Sequence, residues 1–341
     1  MTRSILIIGG TQFVGRHIAQ RALDRGHRVT LFTRGQTNAG LFAQTEHLRG
    51  DRKHDLTALG TREWDAVIDT CGYTPREVAF TAQALSQRTQ RYLFVSSVSV
   101  YASFAQPNDE SSATGVIDDP DTDVIDGRTY GPLKALCERE VHASFGDRAL
   151  ILRPGLVAGP WDATDRFTYW VVRMLRGGPV AAPGAPDYVI QYIDAADLSA
   201  FAIDCIEHDM SGTFNVVTPP GRDTLGALLA AACRAANTSP DIVWLPASFL
   251  QQQGVQGWRD MPLWLSPGPQ PDLGDTRALM HTSAGRAQAH GLRCRPIEDT
   301  VQSILQWWLA QPEPRRAQLK AGLSAEREHA LLAAWRSAQH T

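Results

Sequence analysis

Residues 4–15, Ser-Ile-Leu-Ile-Ile-Gly-Gly-Thr-Gln-Phe-Val-Gly, carry a short apolar run into a glycine pair and then into a helical pattern. Few folds accept that order. Ile5 to Ile8 reads as a strand buried on both faces, because a parallel strand covered by helices loses the polar alternation of a half-exposed one. Gly9 and Gly10 permit a tight turn that a Cβ would obstruct. The helix predicted from Phe13 to Arg25 aims its unpaired amides and positive dipole end back at that turn, which suits a pyrophosphate. Gly15 lets this helix pack close to the strand. The spacing is that of a dinucleotide turn with Gln12 in the place of its middle glycine.

Apolar strand-like runs recur at 28–33, 46–49, 64–69, 91–96 and 149–153, with helical patterns at 74–88 and 130–145. The alternation predicts right-handed βαβ units. The expected fold class is α/β, a doubly wound parallel sheet (Rossmann) of seven strands with a smaller interleaved C-terminal substrate region. Beyond Arg153 prolines and glycines break the rhythm around a helix at 167–175, strands at 189–193 and 213–217 and a helix at 225–236, and 246–275 shows little periodicity. The expected division is a dinucleotide-binding domain over 1–160, to which 187–236 returns, a substrate-binding region over 161–186 and 237–310, and a helical tail over 311–341. Ser324 is placed to cap the last helix, with Glu326 and Glu328 in its first turn.

The 33 basic and 36 acidic residues leave a net charge of −3, and no Arg/Lys stripe marks a nucleic-acid surface. There is no signal-peptide pattern and no apolar run of membrane-spanning length. Cys71, Cys137, Cys205, Cys233 and Cys294 are odd in number and widely spaced, which fits reduced cysteines in a cytoplasmic protein better than disulfides or zinc. No metal, nucleic acid or membrane partner is expected. The partner is a small-molecule substrate.

Ser97 closes the predicted fifth strand, at the carboxyl edge where a parallel sheet opens its ligand crevice. Tyr130 and Lys134 stand four residues apart, on one face of a helix. An ammonium that close favours the phenolate and lowers the tyrosine pKa, so the phenol can exchange protons near neutral pH. Ser97 can hold the reacting oxygen by a hydrogen bond.

Together these motifs identify the chain as similar to the extended short-chain dehydrogenase/reductases, the NAD-dependent epimerase/dehydratase family. The resemblance covers about residues 4 to 200. It rests on the glycine turn, Gly50-Asp51-Arg52, Asp69-Thr70-Cys71-Gly72, Val95-Ser96-Ser97-Val98-Ser99-Val100-Tyr101, Tyr130-x-x-x-Lys134, Leu152-Arg153-Pro154-Gly155 and Tyr192-Ile193-Asp194-Ala195-Ala196-Asp197. It implies that Tyr130 is the catalytic acid/base, that Lys134 binds the nicotinamide ribose and tunes Tyr130, and that Ser97 positions the substrate oxygen. Asp51 and Arg52 would flank the adenine, while Asp69 and Asp197 support structure. The implied cofactor surface comprises Gly9, Thr11, Gln12, Phe13, Val14, Gly15, Arg34, Asp51, Arg52, Cys71, Tyr130, Lys134 and Pro154. Sugar dehydratases of the family carry an Asp-Glu pair where this chain has Val98 and Ser99, so water elimination is disfavoured. The form of the glycine turn resembles a divergent branch that includes chloroplast stem-loop RNA-binding proteins. Those tend to lose the Tyr/Lys pair, which this chain keeps. Family dimers pair through helices such as 74–88 and 130–145, so a homodimer is an option.

The second strand ends at Thr33-Arg34, where an NAD site usually places an acid for the ribose. Arg34 can meet a 2′-phosphate. NADP(H) is therefore the expected cofactor and NAD(H) the alternative. Arg166 is a candidate for a substrate phosphate or carboxylate, unless it pairs with Asp162 or Asp165. Trp161, Tyr169 and Trp170 would form an apolar wall, unless Trp170 and Phe167 are helix core. The acidic insert 109–126 is expected as a solvated loop or a lid. The reading is an NADP(H)-dependent oxidoreductase moving hydride to or from a carbonyl/alcohol carbon, with a nucleotide-sugar epimerase and a non-catalytic nucleotide or RNA binder as alternatives.

Overall fold

The computed structural model describes residues 1–270 and 274–339. Seven parallel strands form its main sheet: β1 (Ser4–Ile8), β2 (Arg28–Thr33), β3 (Glu46–Arg49), β4 (Trp64–Asp69), β5 (Thr89–Val95), β6 (Ala149–Pro154) and β7 (Gly212–Val216). Their order is β7-β6-β5-β4-β1-β2-β3. The chain reverses direction across the sheet between β1 and β4, which pair in register from Ile5 with Ala66 to Ile8 with Asp69. Ligands of doubly wound sheets enter above such a switch point.

Successive side chains of a strand face opposite ways, and β1 uses both faces. Ile5 and Ile7 join one core with Ile18, Ala19 and Ala22 of helix α1 (Phe13–Asp24), while Leu6 and Ile8 join another with Val78 and Ala82 of α2 (Pro75–Leu85) and Val141 of α3 (Tyr130–Phe145). All four strand residues are essentially inaccessible to water. Each such burial stabilises by roughly 1.5–3 kcal/mol.

A third core belongs to the C-terminal part. It packs α4 (Arg166–Arg176) on helices α6 (Leu225–Ala236) and α7 (Ile297–Leu309), around Trp170 and Trp264; α5 (Ala195–Glu207) lies instead on the main sheet. The last helix, α8 (Ala325–Ala338), is capped by Ser324, whose hydroxyl accepts from the Arg327 amide at 3.2 Å. Glu328 in its first turn is buried and takes the Arg173 guanidinium at 2.7 Å. The strand predicted at 189–193 divides in two: Val189–Ile190 pairs antiparallel with Asp223–Thr224, and Tyr192–Asp194 pairs parallel with Leu156–Ala158. Among the described residues no helix is long and apolar enough to cross a membrane.

One buried ion pair fixes the carboxyl end of β4. Asp69 is fully buried and accepts from Arg52 at 2.5 and 2.7 Å, from the Tyr92 hydroxyl at 2.9 Å and from the Cys71 amide at 3.1 Å. Burial pushes its carboxyl up, but the Arg52 charge and these donors outweigh burial and hold it below the ordinary carboxylate range. Removing one partner of such a pair leaves a buried uncompensated charge. Asp69→Asn is expected to cost about 3–5 kcal/mol in urea unfolding, and the double variant Arg52→Met/Asp69→Leu is expected to recover much of that loss. A single-variant cost under about 1 kcal/mol, the range of a surface pair, would show that the pair does not hold this loop.

Candidate active site

The glycine turn has the shape that its sequence suggested. Gly9 and Gly10 adopt φ of +98° and +90°, conformations that side chains other than glycine rarely take. A Cβ on Gly15 would lie 2.7 Å from the Gly10 nitrogen, and one on Gly9 would lie 2.5 Å from the Thr70 hydroxyl. The first-turn amides of α1 at Phe13 and Val14 meet no carbonyl among the described residues, and no acidic side chain occupies that turn. Donors without acceptors at a positive helix end, under a backbone too close for any Cβ, fit a dinucleotide pyrophosphate.

The turn opens onto a cleft of about 1680 Å³ lined by Phe13, Val14, Tyr73, Ser97, Tyr130, Lys134, Pro154 and Arg166, among others. Ser97 and Tyr130 come together there. Ser97 caps the short turn after β5, its hydroxyl accepting from the Ser99 amide at 3.1 Å and donating to the Ser99 hydroxyl at 3.0 Å, and it lines the cleft with the Tyr130 phenol, whose pKa it acts to lower. Gly131 makes that meeting possible: a Cβ there would lie 2.0 Å from the Ser99 carbonyl oxygen, so only glycine lets the start of α3 come so close. The sequence signal was present, a glycine directly after the candidate tyrosine, but its partner lies 32 residues earlier and was not foreseen.

Lys134 does not do what helical spacing suggested. Its ammonium is buried and donates to the carbonyls of Gly72 at 2.9 Å and Val95 at 2.7 Å, below the Tyr73 ring and over Phe94. Burial lowers its pKa to about 8. The Tyr130 phenol is correspondingly not lowered. Burial raises it, and the Ser97 hydroxyl and the Arg166 charge only partly oppose that. The cation whose charge acts to lower the phenol pKa is Arg166, not Lys134.

Other expected residues are placed as follows. Thr11 is buried, and its carbonyl accepts from Asn38 at 2.8 Å; Gln12 is exposed at the N-cap of α1. Asp51 bends its own turn through the Lys53 amide. Arg52, expected beside the adenine, is instead turned inward onto Asp69, and half-buried Cys71 lies against it with its thiol raised by burial. Arg34 is exposed. Tyr169 and Trp170 form no cleft wall: both are buried, and the Trp170 indole donates to the Pro262 carbonyl. Trp161 lies outside the cleft lining, stacked on Arg16 at 3.7 Å and His17 at 5.2 Å. Arg166 forms no ion pair with Asp162 or Asp165: Asp162 accepts from Thr164 and acts on Arg166 only by its charge, and Asp165 pairs with Arg315. Of the acidic insert, Gly115 and Val116 reach the cleft, as do Gly127 and Arg128 just after it, and Glu110 accepts from the Asn215 amide. Sequence reasoning missed Tyr73, Trp258 and Gln191 in the lining.

Beneath Ser97 and Tyr130 runs a buried polar chain. Ser96 donates to Glu138, which takes Arg153 at 2.6 and 2.9 Å; Arg153 reaches Tyr101, and Tyr101 donates to Asn215 at 2.6 Å. It links β5, α3, β6 and β7 under the site. Among the described residues no cluster of His, Cys, Asp or Glu could hold a metal ion.

The sequence model of the NAD dependent epimerase/dehydratase family matches residues 5–83 and 77–216. The chain is 26% identical over 262 residues to the chloroplast stem-loop binding protein of 41 kDa b of Arabidopsis thaliana, covering 70% of this chain and 64% of that protein, so it spans under two thirds of that relative. Among solved structures, UDP-glucose 4-epimerase of Thermus thermophilus in complex with NAD matches with TM-score 0.63 at 18% identity, over 90% of this chain and 100% of that one. The enzyme WbmG of Bordetella bronchiseptica in complex with NAD matches with TM-score 0.64 at 18% identity, over 90% and 94%. These likenesses establish the fold. They also overturn the expectation of NADP(H), since NAD is the nucleotide in these structures and in further ones of the same fold. The inference from Arg34 fails because an exposed arginine at a strand end, held by no described partner, is an ordinary surface residue.

Two outcomes test this geometry. Gly131→Ala is expected to destabilise by about 1–3 kcal/mol in urea unfolding, whereas Gly40→Ala, with nothing within 4 Å, is expected to be near neutral; equal effects would mean that α3 does not need its close approach. His17, which contacts the Pro160 carbonyl at 3.1 Å, has its pKa lowered by burial, then by the charges of Arg16 and Arg295, to about 4. The unfolded chain therefore binds the proton more readily, and this contribution is complete above pH 6.5 and lost as pH falls towards 4. His17→Gln is expected to flatten the stability–pH curve over that window by up to about 3 kcal/mol; an unchanged slope would contradict the neutral, buried imidazole.

Proposed function

The chain belongs to the NAD dependent epimerase/dehydratase family, and from that premise we propose that it is a redox-neutral epimerase that keeps NAD bound and acts on a hydroxyl-bearing carbon of a nucleotide-sugar-like substrate. The observation that carries the reading is that Ser97 and Tyr130 line one cleft together with Phe13 and Val14 of the glycine turn. Bound NAD would supply a hydride acceptor that later returns the hydride to the same carbon.

The residues of the chain supply the rest. A substrate hydroxyl entering between Ser97 and Tyr130 would donate to the Tyr130 Oη and accept from the Ser97 Oγ, whose proton would turn away from the Ser99 hydroxyl. Tyr130 would take the hydroxyl proton and later return it at the same oxygen. Two features favour the phenolate when the proton is to be taken, the Ser97 donor and the Arg166 charge. Lys134 would act at one remove: by tying Gly72 to Val95 it sets the height of α3, and so of Tyr130, above the sheet ends. The amides of Phe13 and Val14 would hold the pyrophosphate, and Gly9 and Gly15 would admit it.

Elimination of water needs a further acid in the cleft. Among the described lining residues the one carboxylate is Asp162, which Thr164 occupies through its amide and hydroxyl. This supports epimerisation over dehydration. The turnover needs no exchange of cofactor, which also fits an NAD site better than the reductase reading.

The test is to identify the nucleotide released when purified protein is denatured, then to follow UDP-sugars for interconversion. Retained NAD, epimer formation without stoichiometric NADH, and a loss of at least about a hundredfold in Tyr130→Phe are expected. Net consumption of reduced cofactor with a carbonyl substrate would replace the epimerase by a reductase. Full turnover in Tyr130→Phe would remove the phenol from the chemistry.

A further inference from the structure

Arg166 opens α4 in the cleft onto which the glycine turn also opens, and among the described residues it forms no ion pair, although the Asp162 charge acts on it from beyond pairing distance. Both acids that precede it in sequence are engaged. Asp162 accepts from the Thr164 amide and hydroxyl at 2.8 Å, and fully buried Asp165 takes the Arg315 guanidinium and the Lys320 amide. Among the described residues no carboxylate lies within ion-pair distance of Arg166.

Its guanidinium is nevertheless held in place. The Nε donates to the Thr164 hydroxyl at 3.2 Å, and the group lies 5.5 Å from the centre of the Trp258 ring. These two contacts fix one edge and the plane. The two terminal nitrogens donate to no described group, and the residue lines the same cleft as Ser97 and Tyr130. Its charge reaches the Tyr130 phenol. A cation in a partly desolvated cleft is costly without a counter-charge, and a planar fork with two parallel donors free matches a carboxylate.

We propose that Arg166 is a specificity-determining residue for a substrate that carries a carboxylate close to the carbon whose hydroxyl meets Tyr130, received by the two free terminal nitrogens of the guanidinium. The assignment rests on the epimerase reading of the cleft. The Trp258 ring, with its centre 5.5 Å from the guanidinium, limits the directions from which that carboxylate can approach.

The test is calorimetric titration of the NAD-loaded protein with ligand pairs that differ only in the carboxylate: UDP-glucuronate against UDP-glucose, and galacturonate against galactose. The acid of at least one pair is expected to bind about tenfold or more tightly than its neutral partner, as a charge-assisted bidentate contact would give. Arg166→Ala and Arg166→Gln are expected to bring that ratio near one, and Arg166→Lys to restore part of it. NAD content measured on each variant reports that its nucleotide cleft is intact. A wild-type ratio near one in both pairs overturns the proposal, as does a preference that survives in Arg166→Ala and Arg166→Gln. Because the ratio is read from binding, it is independent of turnover. A failure of the epimerase reading appears instead in the released nucleotide and in product analysis.

Discussion

A carboxylate shut away from water, Asp69, sits where the sheet changes direction, and the working face of the molecule is built outward from it. Its charge is tolerable because Arg52 approaches with two donors and Tyr92 and the Cys71 amide fill what remains. Fixing Cys71 fixes Gly72, whose carbonyl takes the Lys134 ammonium. Lys134 then locates α3, and α3 begins at Tyr130. The candidate proton-transfer group is thus tied to a buried ion pair by a short series of hydrogen bonds, with no loop of free length between them. The second buried chain, from Ser96 through Glu138 and Arg153 to Asn215, braces the other side of the same helix.

Much of this frame was legible in the amino-acid order because it depends on local pattern. The apolar run Ile5–Ile8, the glycines that follow and the helix over 130–145 each follow from neighbours within a few residues. Ser97 and Tyr130 could be paired in advance because a strand end and a helix start are fixed by the topology. What escaped the sequence depends on partners far along the chain. Helical spacing placed Lys134 beside Tyr130, yet the carbonyls of residues 62 and 39 positions away hold it more firmly. Local spacing likewise offered Asp162 and Asp165 to Arg166, and Asp165 went to Arg315, 150 residues on. Between cleft wall and helix core, the two readings open for Trp170, the C-terminal elements decided for core, and they covered Tyr169 as well. The NADP(H) expectation failed for a different reason: Arg34 was read by type alone, and an arginine specifies a phosphate only when its surroundings aim it.

The cleft has two sides of different origin. The nucleotide side is backbone, made of glycines, helix amides and strand ends, and it tolerates little change because any added Cβ collides. The opposite side is made of side chains such as Arg166, Trp258 and Gln191, supplied by a helix start, a turn and the join between two short strands. Substitution there alters size and charge without disturbing the sheet. The division explains why a chain can share its frame with proteins below one-fifth identity while its substrate surface is its own.

Helix α8 gives this arrangement a direction in time. Glu328 reaches back to Arg173 and to the Ala181 amide, Trp335 rests on Phe249, and Gly322 lies flat against Tyr169. The parallel sheet has all its strands once residue 216 has been made, so the nucleotide half can close while synthesis continues. The other half waits more than a hundred residues for the segment that seals it. During that interval a nascent chain would present a finished nucleotide cradle beside an unsealed apolar surface, the state in which a chaperone has most to gain by holding it.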